Sequence, residues 1–557
     1  MGHACRILVL EEERSRVPKL DWIGKQHVVN HTDEVPFRLL RHVPEASAGD
    51  GEASSGNVIV HGDNLEALKA LFPYYRERVK LVFIDPPYNT GNENWVYNDR
   101  MNAPKMKRWL GKVVGGEGED LSRHDKWLCM MYPRLELLRD LLAENGSLWM
   151  TIDDNEAHYA KVLMDEVFGR DNFIAAVIWQ KADSPRNTAK YFSVDHDYIF
   201  IYAKNAEIWR PNLMPRTEKQ DSIYKNRDND PRGPWWPGDI TARNSYSKGV
   251  YPIATPSGRV IPGPPKGNYW RMSKEKLKEL DADGRIWWGE DGNNRPTIKR
   301  FLSEVKQGVV PQTIWSHEQA GSTRGSKKEL QKLMDFEDTS DVFITPKPVK
   351  LLQRILQVAT DRDSIVLDSF AGSGTTAHAV LKQNAEDGGE RRFVLVEMED
   401  YADTLTAERA RRVIRGEGGQ PYLGDESGFD FYELGEELFT GSGDGINPEV
   451  KRDALGRFAL FLETGVAAEK VSENGTGYVG SGGGKDVYLF YAPDANTVFD
   501  EERLRVLPGE AGNGARIVYA DRCAVDEEEL SAWGVTFRKI PRDMQDLISR
   551  FGKDDGR

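Results

Sequence analysis

The chain has 557 residues, 39% hydrophobic and 29% charged, which leaves room for about two to four folded domains. No run of about 18 apolar residues occurs, so no membrane-spanning helix is predicted. Its three cysteines, Cys5, Cys129 and Cys523, are too few and too far apart for a disulfide framework or a zinc site, and they suit a reducing cytoplasm.

The net charge of −14 is unusual for a nucleic-acid binder, but it is unevenly spread. Residues 417–557 carry 28 acidic and 15 basic side chains, whereas residues 205–340 carry 23 basic and 18 acidic. Phosphate contacts are local, so the overall sign does not exclude DNA.

Residues 1–56 read as an N-terminal extension and linker. The apolar patch Ile7–Leu10 runs at once into Glu11–Glu13, too short and too acidic for a signal peptide. The stretch 44–56 is rich in Gly, Ser, Ala and Glu. From 57 to 204 strand-like and helix-like patterns alternate. Strands are predicted at 58–60, 79–84 and 147–152, helices at 64–74 and 127–144, and further strands at 173–179 and 198–202. Residues 205–340 lose this periodicity and hold seven of the 14 tryptophans, including Trp235-Trp236 and Trp287-Trp288. Alternation returns over 341–416, with helices at 349–359 and 376–383 and strands at 364–367 and 392–396. Residues 417–557 are acidic, with Gly-rich loops and short strands such as 486–491, and are read as a C-terminal α+β domain. The predicted fold is α/β, a doubly wound sheet interrupted by the segment 205–340.

Asp85-Pro86-Pro87-Tyr88 directly follows the apolar strand 79–84, at the carboxyl end where open α/β sheets bind ligands. An exocyclic base amine is a poor nucleophile because its lone pair is delocalised into the ring. A carboxylate (Asp85) and a backbone carbonyl (Pro86) can accept its two hydrogens and orient the lone pair. The prolines remove backbone donors and stiffen the turn, and Tyr88 offers a face to an extruded base. The structural alternative is a Pro-Pro turn with Asp85 as a cap.

Asp368-Ser369-Phe370-Ala371-Gly372-Ser373-Gly374-Thr375-Thr376 also leads from a strand into a helix. Gly372 and Gly374 allow close backbone approach to a ligand. The string lacks the Gly-Lys-Ser/Thr of a phosphate-binding loop and the third glycine of a dinucleotide loop. Glu397 ends the next strand, where an acid can hold ribose hydroxyls. A ligand with ribose and no phosphate fits, and S-adenosylmethionine is one. A tight structural turn is the alternative.

Taken together, these motifs resemble beta-group amino-methyltransferases, in which the catalytic motif precedes the cofactor motif. The string 84–91 (Ile84-Asp85-Pro86-Pro87-Tyr88-Asn89-Thr90-Gly91) is similar to Mod subunits of type III restriction-modification systems and related phage-defence methylases. So are His61-Gly62-Asp63-Asn64-Leu65, Ile152-Asp153-Asp154-Asn155-Glu156, Phe168-Gly169-Arg170-Asp171-Asn172-Phe173 and Thr345-Pro346-Lys347-Pro348. The likeness is strong over 57–204 and 341–416 and faint over 205–340; Tyr432-Glu433-Leu434-Gly435 is similar to tails of some of these methylases.

The resemblance implies a methyltransferase (Rossmann-like) sheet with circularly permuted motif order, in which 57–204 is the catalytic half and 341–416 the cofactor half. Residues 205–340 would be an inserted target-recognition segment. S-adenosylmethionine would be bound by Asp63 near its adenine, by Phe370 packing against it, by Glu397 at the ribose, and by Gly372, Gly374 and Thr375 in the loop. Asp368 and the region from Thr345 to Lys347 would lie at the methionine end. For Asp63 the alternative is a helix cap, and for Lys347 a surface lysine. Asp153-Asp154 is read as a strand-end turn, and no metal is needed, because the sulfonium is already a strong methyl donor.

The implied reaction is methylation of N6 of adenine in double-stranded DNA. Asp at position 85 favours adenine over N4 of cytosine by family likeness. The basic groups of 205–340 are candidates for phosphate contact, and most of its tryptophans are read as its own core. A non-catalytic DNA-binding or restriction subunit is the rival from another class. Gly482-Gly483-Gly484-Lys485 is followed by Asp486 and fails the phosphate-loop pattern, so DNA cleavage would need a separate restriction or helicase subunit. A homodimer is implied by the resemblance.

Overall fold

A computed structural model describes residues 20–29, 31–49, 56–90, 123–306, 308–334, 336, 345–419, 422–423, 427–440, 445–466, 471, 476–507 and 515–550. The chain divides into two compact units, one formed by 1–211 with 312–557 and the other by 212–311.

Ten strands of the larger unit form one sheet. In chain order they are β1 (Arg38–His42), β2 (Val58–His61), β3 (Val79–Ile84), β4 (Leu142–Ile152), β5 (Phe173–Gln180), β6 (His196–Ala203), β7 (Ile314–Trp315), β8 (Ile365–Asp368), β9 (Arg392–Glu397) and β10 (Asp430–Glu437). Across the sheet the order is β1-β10-β2-β9-β8-β3-β4-β6-β5-β7. The six strands from β10 to β4 run parallel to one another, while β1 and β6 run against their neighbours and β7 pairs parallel with β5. β8 is buried along its whole length, as are all but one residue each of β2, β3 and β9, which is why these strands read as continuous apolar runs.

The helices that matter for the site are α1 (Asn64–Tyr75), α2 (Arg123–Leu141), α3 (Ala157–Phe168), α4 (Thr323–Met334), α5 (Val349–Ala359), α6 (Thr375–Asp387) and α7 (Glu408–Ile414). Leu68, Val82, Trp127, Leu135, Leu148 and Val396 share one core. Each such side chain contributes about 1.5–3 kcal/mol when fully buried. None of the helices among the described residues is long and apolar enough to cross a membrane.

The smaller unit, 212–311, holds a three-stranded antiparallel sheet of Trp235–Gly238, Ile286–Trp287 and Thr297–Phe301, and the helix Lys274–Ala282. Trp270 and Trp288 pack with Ile240, Ile253, Leu277 and Ile286 in its core, and Trp235 is buried beside Trp287. Trp236 is exposed. The tryptophans here thus serve mainly as core. Lys299 is buried between Asp228 and Asp230, 2.9 Å from the latter.

The observed limits differ from the sequence-based ones in three places. Residues 1–56 are not only extension and linker, because β1 joins the sheet edge and Ala48 exchanges backbone hydrogen bonds with Phe429. Positions 50–55 of the expected linker lie outside the described residues. The segment expected at 205–340 contracts to 212–311: β7 extends the large sheet, and α4 packs against α7. At the other end, β10 belongs to the large sheet rather than to a separate domain starting at 417. β1 and β10 interleave Arg38, Arg41, Glu433 and Glu437 with apolar residues, so their pairing comes from neighbours distant in sequence, not from local periodicity.

Candidate active site

Four neighbouring strand ends bring four acids into one row. In sheet order, Asp63 follows β2, Glu397 ends β9, Asp368 ends β8 and Asp85 follows β3. Neighbouring strands lie about 4.8 Å apart, so the row spans roughly 15 Å, the scale of an extended nucleoside conjugate. The motifs, far apart in sequence, are therefore brought together.

Asp85 is held on both carboxylate oxygens. The Thr151 hydroxyl donates to Oδ1 at 2.6 Å, and Lys347 Nζ lies 2.5 Å from Oδ2. Lys347 is a buried side chain, not a surface one, and its ammonium sits 5.0 Å from the centre of the Tyr88 ring. Ser326 of α4 fixes this lysine's backbone by donating to the Pro346 carbonyl, and Pro348 caps the start of α5. The Tyr88 hydroxyl donates to Asp197 Oδ2 at 3.3 Å, and Lys181 pairs with Asp197 Oδ1 at 2.6 Å. Burial raises the Tyr88 hydroxyl well above its ordinary range, and Asp197 and Asp85 push the same way, so it remains a neutral donor. Burial also raises the Asp197 carboxyl, opposed by Lys181 and Lys347. Trp127 Nε1 donates to the Pro87 carbonyl at 2.7 Å, which fixes the turn.

A cavity of about 720 Å³ opens beside Tyr88 and Lys347, lined also by Asp153, Trp179, Lys181 and Asp197. Asp153 accepts from the Asn155 amide and Asp154 accepts from the Tyr198 hydroxyl, as a strand-end turn requires.

On the other side of Asp85 lies the glycine loop. Asp368 accepts from the Phe370 amide and the Thr376 hydroxyl, and Glu397 accepts from the Gly372 and Glu399 amides. Burial lifts both carboxyls to about 7, against these hydrogen bonds. Neither is in an ion pair among the described residues. Gly374 adopts φ +73°, and a Cβ there would stand 2.6 Å from the Thr406 carbonyl oxygen. Phe370 is half-buried against the core. Thr375, expected among the ligand contacts, accepts from Arg409 at 2.8 Å through its hydroxyl. Asp63 caps α1, with Oδ1 accepting from the Leu65 and Glu66 amides. Thr345 lines the cavity beside Lys347.

Sequence reasoning missed Thr151, Lys181, Asp197, Arg134 and Arg409. Arg409 of α7 is fully buried and binds the Ser373 carbonyl and hydroxyl as well as Thr375. Arg134 of α2 is fully buried and bonds Asn64 beside Asp63. Lys181 and Asp197 flank a hairpin and carry no motif. The one available signal was a charged residue inside an apolar helix, as with Arg134.

A DNA methylase family matches residues 79–409. The StyLTI Mod subunit of the type III restriction-modification enzyme from Salmonella typhimurium is 31% identical over 510 residues, covering 85% of this chain and 75% of that protein. The EcoPI Mod subunit of Escherichia phage P1 is 31% identical over 422 residues, and the EcoP15I Mod subunit of Escherichia coli 29% over 425. The chain spans 63% and 64% of the length of these last two. With the acid row, the glycine loop and the match over both halves of the sheet, the chain belongs to the DNA methylase family, among the S-adenosylmethionine-dependent Mod subunits of type III restriction-modification enzymes.

Proposed function

We propose that the chain methylates N6 of adenine in duplex DNA as the modification component of a restriction-modification or phage-defence system. The observation that carries this reading is Asp85, held by Thr151 and Lys347 at a strand end between a cavity large enough to admit a base and the glycine loop. In this proposal the target adenine leaves the helix, enters the cavity and stacks on Tyr88. Asp85 and the Pro86 carbonyl accept its two amino hydrogens, which turns the lone pair out of conjugation. Lys347 and Thr151 keep the carboxylate aimed, and Trp127 keeps the Pro86-Pro87 turn rigid. Asp85 takes the proton that the amine sheds after transfer and passes it to water in the cavity.

Two buried carboxylates at adjacent strand ends, without ion pairs among the described residues, suit a cofactor carrying positive charge and ribose hydroxyls. Glu397 would hold the ribose, Asp368 and Thr345 the methionine end, Phe370 and Asp63 the adenine, and Gly372 and Gly374 the close backbone approach. When bound, S-adenosylmethionine supplies an activated methyl group on a positively charged sulfur. We assign Lys347 to Asp85 as a positioning residue.

The order of the motifs in the chain supports a permuted methyltransferase sheet, and the basic surplus of 212–311 supports its role as the recognition segment. A restriction or helicase subunit and a second copy of the chain are the partners this reading implies. Mass spectrometry of nucleosides from DNA treated with the protein and S-adenosylmethionine tests it. N6-methyladenine supports the proposal, N4-methylcytosine overturns the choice of base, and unmodified DNA overturns the function.

A further inference from the structure

The loop between β5 and β6, residues 181–195, carries two of the most exposed large side chains among the described residues. Tyr191 is 81% exposed and Phe192 is 89% exposed. Two adjacent aromatic side chains left this open to water form an apolar patch that a contact partner can cover. The loop is not loosely hung. The Lys181 and Ala182 amides both donate to the Asp195 carbonyl at 2.9 and 3.2 Å, the Arg186 amide donates to Ser193 Oγ at 2.8 Å, and the Ala189 amide donates to the Arg186 carbonyl at 3.0 Å. Ser193 in turn donates to Asp195.

Three features point this loop at the substrate. Its residues from Lys181 to Arg186, with Thr188 and Val194, line the same cavity as Tyr88. Its neck is tied to the catalytic turn, because Lys181 binds Asp197 and Asp197 accepts from the Tyr88 hydroxyl. Its charge suits a polyanion: Arg186 and Lys190 are exposed, and Lys190 Nζ sits 5.1 Å over the Tyr191 ring. The acids nearby are engaged, Asp183 with Arg324 at 3.3 Å and Asp195 with Ser193.

We propose that Tyr191 and Phe192 are a wedge that enters the DNA stack and fills the space vacated by the extruded base, while Arg186 and Lys190 hold the flanking phosphates. Extrusion breaks a base pair and two stacking contacts, and an apolar or aromatic insert offsets that loss. This inference rests on the reading that the chain methylates a base drawn out of duplex DNA.

The test uses the full chain and a duplex carrying its own site, found by sequencing DNA methylated in cells. One duplex is fully paired with adenine at the target; a copy used only for fluorescence has 2-aminopurine there, which lacks the acceptor 6-amino group and brightens on unstacking. A second has the target adenine opposite an abasic position, so that extrusion is cheap. For Tyr191→Ala/Phe192→Ala the fluorescence rise should shrink, and kcat/KM on the paired duplex should fall about tenfold or more, returning near wild type on the abasic duplex. S-adenosylmethionine affinity should not change, and Tyr191→Phe should behave as wild type. A double variant with full fluorescence rise and rate overturns the wedge, as does a loss that persists on the abasic duplex. A variant that loses only assembly with other protein chains overturns it too, and makes the pair a protein contact. Wild-type protein that methylates neither the adenine-containing paired duplex nor the abasic one overturns the underlying function.

Discussion

Lys347 Nζ lies 2.5 Å from Asp85 Oδ2, joining side chains 262 positions apart in the chain, both nearly buried. Removing the lysine leaves the carboxylate without its ion-pair partner and free to turn from the base. Lys347→Met should lower the single-turnover methyl-transfer rate by about 10²-fold, on the scale of losing one preorganised electrostatic contact. Asp85→Ala should cut transfer further with the fold intact, to a residual rate that the double variant matches, because the two act as a unit. Additive losses would mean that the pair does not work through Asp85.

Asp368 and Glu397 titrate near 7 in the folded protein because burial disfavours their charged forms. Both values are raised above those of the unfolded chain, so the folded state binds more protons between about pH 4 and 7. Their contribution to stability is full below that window and is lost as pH rises through about 7. Without the methyl donor, the melting temperature should therefore fall between roughly pH 4 and 7, and Asp368→Asn should flatten that fall. Affinity for the cationic donor should rise as pH passes through about 7 and the carboxyls ionise. Calorimetric titration at several pH values checks the sign, and affinity falling with pH would contradict it.

Gly374 occupies the left-handed region beside the Thr406 carbonyl. Gly374→Ala adds both a strained backbone and a Cβ against an immovable oxygen. It should destabilise the protein by about 2 kcal/mol or more and weaken donor binding, read from denaturant midpoints and calorimetry. Gly484, also at positive φ but with open space around its Cβ position, is the control, and its alanine variant should leave donor binding unchanged.

Tyr88 contributes a ring and a hydroxyl that can be separated. Tyr88→Phe keeps the ring, loses the bond to Asp197 and should keep most of the activity. Tyr88→Ala removes the stacking face and should cost about 10- to 100-fold in kcat/KM, within the range for losing one base–aromatic stack. Equal losses in the two variants would place the hydroxyl, not the ring, at the centre of the chemistry.

What could be read along the chain was whatever short-range pattern encodes. β3 followed by Asp85-Pro86-Pro87-Tyr88, β8 followed by the glycine loop, and β9 ending in Glu397 each combine an apolar run with turn-forming residues, and each lies where periodicity placed it. Asp63 showed both its motif and its capping geometry in five residues. The folded sheet supplied what no window of sequence holds. It set β3 beside β8, which brought Asp85 within one strand spacing of the glycine loop, and it carried Lys347 onto Asp85 and Lys181 onto Asp197. It also enlisted the mixed-charge strands β1 and β10 at the sheet edge and sank Arg134 and Arg409 beneath the loops they brace. Strand and turn propensity are properties of neighbours along the backbone. Ion pairs and edge pairing depend on which strands end up side by side, and that is settled only when the apolar faces of the whole sheet are buried together.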